Sequence, residues 1–323
     1  MTASTGRADG ILRRLPFRPS WETLGLPVVV LGMTAMFAVL APNFLAVSNA
    51  ANVARQFAVL GIIGAVQTVV IISGGIDLSV GSVLAVSNVL MAMGLAQGDI
   101  PLGLALALGA GLAFGLTNGV LIGMTRLPPF IVTLGMLSIA RGFALTITDG
   151  VPIFGLPSSG FSWIGQGYLG PIPAPVLFAI GAFIVIQILL TRTRFGTATY
   201  AIGGNEQAAV LAGIAVSRVK VAIYVLSGLG AALGGIILTA RVNSGQPLLG
   251  EGLELQSVAT VVIGGTYLFG GRGRLVGTLF GVMFVGILQN GLNLLGISTF
   301  VQQIVIGVSI IAAVLLTVWR DRS

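Results

Sequence analysis

Asp77 stands in Ile72-Ser73-Gly74-Gly75-Ile76-Asp77-Leu78-Ser79-Val80-Gly81-Ser82, a glycine-rich polar turn between two long apolar runs. A carboxylate there can do either of two things. It can cap the first amides of a helix, a role Ser79 can share. It can also be part of a functional site, which is the default reading for an ionisable group set among apolar segments. Gly74, Gly75, Asp77, Ser79 and Gly81 together form a helix-break motif, with glycines that end one helix in a left-handed turn and polar residues that start the next. Backbone groups freed at such a break cannot stay unpaired in hydrocarbon. The break therefore belongs inside a bundle, beside a water-filled path or at the membrane surface.

Other reactive chemistry is scarce. Cysteine and histidine are absent, which removes thiolate nucleophiles, imidazole bases and the usual zinc and haem ligands. The acids form no clustered pair, so neither a catalytic nor a metal-ligating set is expected, and an enzyme reading is poor. No Gly-x-x-x-x-Gly-Lys-[Ser/Thr] phosphate loop occurs and Lys220 is the sole lysine, so any ATP motor must be a separate subunit. Arg141 is the one basic residue expected within a span. At mid-bilayer it would cost at least ~2.5 kcal/mol unless paired or wet, which suggests a pairing with Asp149 or a place in a vestibule.

The elements that must position these residues are membrane helices. Of 323 residues 55% are hydrophobic and only 8% charged, with a mean hydropathy of +1.04, far from a soluble domain. Apolar runs of about 18 residues or more recur, each long enough to cross a bilayer as a helix. Alternating strands of a barrel are not seen. Spans are expected near 24–41, 54–73, 79–97, 101–125, 128–148, 174–191, 219–240, 252–269, 275–293 and 298–319, ten in all. The run 24–41 is long for a signal peptide and lacks an Ala-x-Ala exit, so it reads as a retained first span.

Charge supports that count. With a cytoplasmic tail at 1–23, the inner side collects Arg7, Arg13, Arg14, Arg18, Arg126, Arg192, Arg194, Arg218, Lys220, Arg272, Arg274, Arg320 and Arg322. Only Arg55 and Arg241 fall outside. The net charge of +7 therefore fits the positive-inside rule, not nucleic-acid binding. The tight turn at Asp99-Pro101 and any half-helix in 252–274 are the places where the count could change. The expected organisation is a tail at 1–23, a transmembrane domain over 24–319 and a short cytoplasmic end at 320–323.

Two connections stand out. Residues 149–173 form the longest external one, with Asp149, Trp163 and Tyr168, a surface suited to an external partner. The cytoplasmic segment 192–218 contains Asn205, able to cap a short helix that Gly213 then ends. By residues alone this segment is an interfacial connector or a docking element. Gly74-Gly75-x-x-Leu78 recurs as Gly264-Gly265-x-x-Leu268. The two copies follow the second and eighth spans, so they support two inverted five-helix halves only weakly. Glycines within spans, such as Gly103, Gly109, Gly111, Gly115 and Gly119, suit close helix packing.

Four blocks carry a resemblance. They are Ser73 to Ser82; Gly203-Gly204-Asn205-Glu206 through Gly213-Ile214; Val262 to Thr266 with Gly270-Gly271-Arg272-Gly273-Arg274-Leu275-Val276-Gly277-Thr278; and Asn290-Gly291-Leu292-Asn293-Leu294-Leu295-Gly296. With them the chain, from about residue 27 to its end, resembles the membrane permease subunit of bacterial ABC importers for ribose and related monosaccharides. The resemblance implies an all-α polytopic fold in the bacterial cytoplasmic (inner) membrane, with both termini cytoplasmic. It implies a second permease copy or a sister permease, an extracytoplasmic sugar-binding protein, and a cytoplasmic ABC ATPase that carries the ATP and magnesium. Glu206, Ala208, Ala209 and Gly213 match the Glu-x-Ala-Ala-x-x-x-Gly coupling loop that docks into the ATPase. Gln207 departs from the alanine many relatives have, without harm to the helix.

For a neutral polyhydroxylated substrate a path needs amides, hydroxyls and aromatic faces, because each buried sugar hydroxyl needs a hydrogen-bond partner. Gln67, Asn88, Asn118, Phe130, Gln289, Asn290 and Asn293 are the candidates, with Asp77 and Arg141. The competing role for each amide is to bond one helix to another. Nucleoside and autoinducer permeases share related scaffolds. An ion-coupled carrier would need coupling carboxylates in its spans, and only Asp77 qualifies, since Glu251 and Glu254 lie near an external end.

Overall fold

The computed structural model describes residues 21–125, 127–157 and 160–321. Arg7, Arg13, Arg14, Arg18, Arg126 and Arg322 lie outside the described residues, as does most of the expected leading tail. The described chain is predominantly helical. Long apolar runs can satisfy their own backbone groups in lipid only through intrahelical bonds.

In chain order the elements are α1 (Trp21–Leu40), α2 (Val47–Ile72), α3 (Val80–Ala96), α4 (Ile100–Thr125), α5 (Pro129–Thr146) and a four-residue α6 (Trp163–Gln166). A small hairpin follows, β1 (Tyr168–Leu169) antiparallel to β2 (Ile172–Pro173), with Tyr168 opposite Pro173. Then come α7 (Ala174–Arg192), α8 (Arg194–Gly204), α9 (Glu206–Leu211), α10 (Val216–Val242), α11 (Leu253–Ile263), α12 (Leu275–Leu294) and α13 (Thr299–Asp321).

All ten expected apolar segments are helices, but they are not ten equal crossings. Among the described residues six helices have the length and apolarity of a span: α2, α4, α5, α7, α10 and α12. The expected span 252–269 is corrected. Its helix, α11, has 11 residues, a rise of about 16 Å, and stops at Gly264 in the half-helix anticipated for that region. Helix α3 is also short, at 17 residues.

The break that ends α11 repeats the one that ends α2. Gly74 donates to Ile71 O and Gly75 to Val70 O; Gly265 donates to Val262 O and Thr266 to Val261 O. Gly74 and Gly265 take the left-handed residue, at φ 81° and 84°. The shared geometry thus aligns Gly74 with Gly265, one residue away from the register of the glycine pairs in the sequence.

Helix α2 is the axis of the bundle. Its sixteen consecutive residues from Phe57 to Ile72 are all buried, as expected for a helix that is apolar on every side. Helix α10 packs most extensively on α4 and then α3. Gly111, Gly115, Gly119 and Gly123 form one stripe of α4, and side chains there would strike the α10 backbone. This is the small-residue packing expected of helices in lipid. Gly109 faces open space instead, so it is no part of that seam.

Candidate functional site

The linker 73–79 does not cross back over the bundle surface. It leaves α2 at Ser73 and re-enters the interior, where Asp77 and Ser79 are each only 1% exposed. Asp77 Oδ1 accepts from the Ser79 amide at 2.9 Å and the Ser79 hydroxyl at 2.6 Å. Its Oδ2 accepts from Ser227 Oγ of α10 at 2.7 Å. Asn118 of α4 donates from Nδ2 to Ser79 Oγ at 2.9 Å, and Thr133 of α5 donates to Ile76 O at 3.2 Å. The carboxylate thus ties the linker to α10, and α4 and α5 reach the same linker through Ser79 and Ile76.

This settles what Asp77 does locally and where it lies. It makes a turn with Ser79 and reaches across to another helix; it does not cap the first amides of α3, and Ser79 makes no side-chain cap either. Ser227 lies near the middle of the 27-residue α10, a helix about 40 Å long. The carboxylate is consequently held about halfway along the bundle, in an environment where three donors to an anion are worth far more than in water.

At the end of α2 the second feature appears. The Gly271 amide donates to Ile72 O at 2.8 Å. A Cβ on Gly203, at the end of α8, would collide with the same Ile72 carbonyl and lie 2.5 Å from Gly271 N. A Cβ on Gly270 would come within 2.8 Å of Gly74 N and Cα. Three main chains, from the α2 end, the α8 end and the 264–274 loop, thus touch with no side chain between them. Tyr200 of α8 adds a bond from its hydroxyl to Gly273 O at 2.9 Å. Burial pushes that hydroxyl above its ordinary pKa, partly offset by Arg274, so it stays a donor. Three of the four sequence blocks converge here.

Helix α9 continues directly from this junction. Asn205 Oδ1 accepts from the Ala208 amide at 2.9 Å, and Gly213, at φ 81°, lies just past the helix end, as the residues predict. Ala209 is buried while Leu211 is 90% exposed. Glu206 pairs with Lys220 of α10, whose Nζ lies 2.8 Å from both carboxylate oxygens. Beside the pair a cavity of about 240 Å³ runs in towards Ser73, Gly75 and Tyr224.

The remaining candidates separate into distinct places. Asn88 is fully occupied: its amide donates to Thr239 Oγ1 and Ser244 O, and its oxygen accepts from the Gln246 amide at 2.6 Å. Arg141 is not paired with Asp149. Its Nη1 donates to Pro247 O at 2.6 Å and Leu249 O at 3.2 Å. Together these two residues pin segment 243–252 against α3 and α5. Gly245 of that segment also forms an antiparallel bridge with Ile153 of the 149–173 connection.

Arg141→Ala is expected to free two carbonyls and speed amide exchange in residues 245–250 by ~10-fold or more, without loss of membrane insertion, because bonds to a charged donor are worth about 1.5–3 kcal/mol each. Unchanged exchange would mean that Asn88 and the Ile153 bridge hold the segment without Arg141.

Asn290 bonds Asn49 of α2 reciprocally at 2.9 and 3.0 Å, a helix-to-helix role. Asn293 and Phe130 are exposed on the chain surface and Gln289 is half-buried. Gln67 is fully buried in α2, and neither atom of its amide has a partner. The nine path candidates therefore do not form one wall; Asp77 and Asn118 share one network through Ser79, and Asn88 and Arg141 hold segment 243–252. Sequence reading missed Ser227, Tyr224 and Lys220. Only Lys220 carried a signal, as the sole lysine in the chain.

Residues 49–314 match the family described as branched-chain amino acid transport system / permease component. The chain belongs to that family. As a member of this permease family it is a multi-pass membrane transport protein, not an enzyme. The ribose import permease protein of Bacillus subtilis is 48% identical over 312 residues, which is 95% of this chain and 94% of that one. The ribose import permease protein of Escherichia coli K12 is 42% identical over 294 residues, 90% and 91% of the two chains. The L-arabinose transport system permease protein of the same strain is 36% identical over 330 residues, covering 100% and 98%. Among solved structures there is no significant match. The four blocks that carry the resemblance to sugar permeases all lie within the matched span.

Proposed function

We propose that the chain is the permease subunit of an ATP-binding-cassette importer that moves a ribose-like monosaccharide by alternating access. It works in the bacterial inner membrane, with α9 on the cytoplasmic side. The observation that carries this reading is likeness to two ribose permeases along nearly the full length of both chains. The geometry supports the division of labour. The exposed short helix α9 follows directly on the α8 end, whose Gly203 meets the main chain at the end of α2 where the linker bearing Asp77 begins, so a push from a separate ATPase has a route into the bundle. The arginine distribution supports a cytoplasmic position for both chain termini. A second permease copy or sister permease and an extracytoplasmic sugar-binding protein complete the assembly.

The deciding experiment is uptake of radiolabelled ribose by vesicles containing the chain, its co-purifying ATPase and binding protein. ATP-dependent uptake is expected. Uptake by the chain alone, driven by an ion gradient, would overturn the mechanism, and ATP-dependent uptake of another solute would change only the cargo.

The Glu206–Lys220 pair, with side chains 51% and 15% exposed, allows a sharper test of coupling. Glu206→Arg sets two cations together and is expected to displace α9 and release the ATPase on purification. The double exchange Glu206→Lys with Lys220→Glu restores the internal pair while reversing the charge offered to the ATPase. A surface pair contributes only about 0–1 kcal/mol, so the exchange should fold normally. Retained ATPase binding by the exchanged chain would show that Glu206 acts through Lys220, whereas loss in both variants would show direct contact with the ATPase.

A further inference from the structure

Glu251 and Glu254 do not lie at the external end where the sequence places them. A Cβ on Gly81, in the first turn of α3, would collide with both Glu254 Oε2 and Gly250 O. The level of Gly81 along the bundle is fixed from two sides. On one, Asp77 accepts from Ser227 of α10; on the other, the Leu84 carbonyl lies 2.5 Å from where a Cβ on Gly235 of α10 would stand. Gly235 is still about 10 Å short of the outer end of α10 at Val242. A helix of about 40 Å overhangs a hydrocarbon core of roughly 30 Å by about 5 Å at each end. Gly250, Glu251 and Glu254 are therefore at the depth of the lipid tails.

At that depth Glu251 is exposed on the surface of the chain, and Leu255, four residues on, is 60% exposed. A carboxylate there cannot face lipid; it has to meet protein or water. Half-buried Arg141 lies within electrostatic reach of Glu251 and Glu254, yet it pairs with neither, since the one ion pair among the described residues is Lys220–Glu206. Arg141 uses only Nη1 on the carbonyls of Pro247 and Leu249, so the other edge of its guanidinium is free to meet an acid from outside. Next to it, on the outward side of α5, Gly135, Ser138 and Gly142 are exposed, and a Cβ on either glycine would meet nothing within 4 Å. Small residues spaced in this way let another helix come close in the membrane.

One face thus presents an acid, a base, an apolar side chain and a row of small residues where lipid tails would otherwise lie. A surface that carries both signs of charge is complementary to itself across a twofold axis, the commonest relation between two identical subunits. We propose that the face built by α5, residues 247–252 and the start of α11 packs against the same face of a second copy of the chain, with Glu251 of each copy opposite Arg141 of the other. This gives the second copy in the importer reading its place, and it rests on that reading. Glu254 touches Gly81, four residues after Asp77, so the contact between copies bears on the linker as well.

The chain has no cysteine, so single cysteines report on this face without background. In membranes holding the chain and its ATPase, Leu255→Cys is expected to give a covalent dimer with a short bifunctional maleimide. A cysteine in place of Ile184, 53% exposed on α7, is expected to give none. Glu251→Arg sets cations against each other across the axis and should lower the dimer yield of Leu255→Cys by about tenfold or more, with an unchanged thermal midpoint in detergent. If that variant fails to fold, Glu251→Gln, which removes the charge alone, should lower the yield severalfold. No dimer from Leu255→Cys would overturn the proposal: labelling by a membrane-impermeant thiol reagent would then mean that water covers the face, and no labelling that lipid does. A dimer through position 184 alone, or an undiminished yield in the Glu251 variants, would overturn it equally. ATP-driven uptake by the unmodified chain, measured in parallel, separates the two ideas. A dimer at position 255 without uptake removes the importer reading only, and uptake without that dimer removes the proposed face only.

Discussion

Gly203→Ala is expected to cut ATP-dependent uptake by ~10-fold or more and to lower the thermal midpoint, while Gly204→Ala changes neither by much. The two glycines are neighbours in sequence and differ only in what surrounds them. A methyl on Gly203 collides with Ile72 O and crowds Gly271 N, both main-chain atoms of other segments, whereas a methyl on Gly204 meets nothing within 4 Å. Overpacking of this kind usually costs about 1–3 kcal/mol. A flexible side chain could turn aside, but main chain held by the Gly271–Ile72 bond cannot. Uptake and midpoint measured on both variants decide the matter. Equal behaviour would mean that the three segments do not need their close contact.

The second large effect is at Asp77. Asp77→Ala is expected to destabilise the protein by about 3 kcal/mol or more, because it strands the Ser79 amide and the Ser79 and Ser227 hydroxyls in a buried place. Asp77→Asn should cost about 1 kcal/mol or less. Its oxygen can still accept both bonds from Ser79, and its NH₂ can donate to Ser227, whose hydroxyl can turn to accept. Unfolding in detergent compares the two variants, and equal losses would show that the network is not what holds the linker. Uptake by the folded Asp77→Asn variant then isolates the role of charge. Wild-type uptake would make Asp77 a structural tie. Lost uptake in a stable variant would make its ionisation part of transport.

Much of this was legible in the residues because membrane spans and helix caps are local signals. Nine of the ten apolar segments, the Asn205 cap, the Gly213 stop and the Gly74 break depend on neighbours in sequence, and each lies where its residues predict. The half-helix α11 was harder, since Val262-Ile263 and Leu268-Phe269 extend the apolar run on both sides of Gly264-Gly265, and hydropathy does not register a turn. The contacts between segments could not be read at all. Nothing in Ser227 or Tyr224 distinguishes them from other polar residues of a span. Arg141 bonds two carbonyls, and carbonyls carry no sequence signature, so a carboxylate such as Asp149 looked the natural partner. Amides in spans likewise look alike, whether they tie helices, as Asn290 does to Asn49, or remain without partners, as in Gln67.

The junction of Ile72, Gly203 and Gly271 has a mechanical consequence. Side chains between moving parts act as springs, since rotamer changes absorb part of any displacement. Here main chain bears directly on main chain, so the linkage has little compliance, and a shift of α9 reaches the end of α2 nearly undiminished. It also leaves the composition of the transported load free to diverge. A contact made without side chains asks only that none be present, so binding surfaces elsewhere in the bundle can be rewritten for a different cargo while the drive train stays the same.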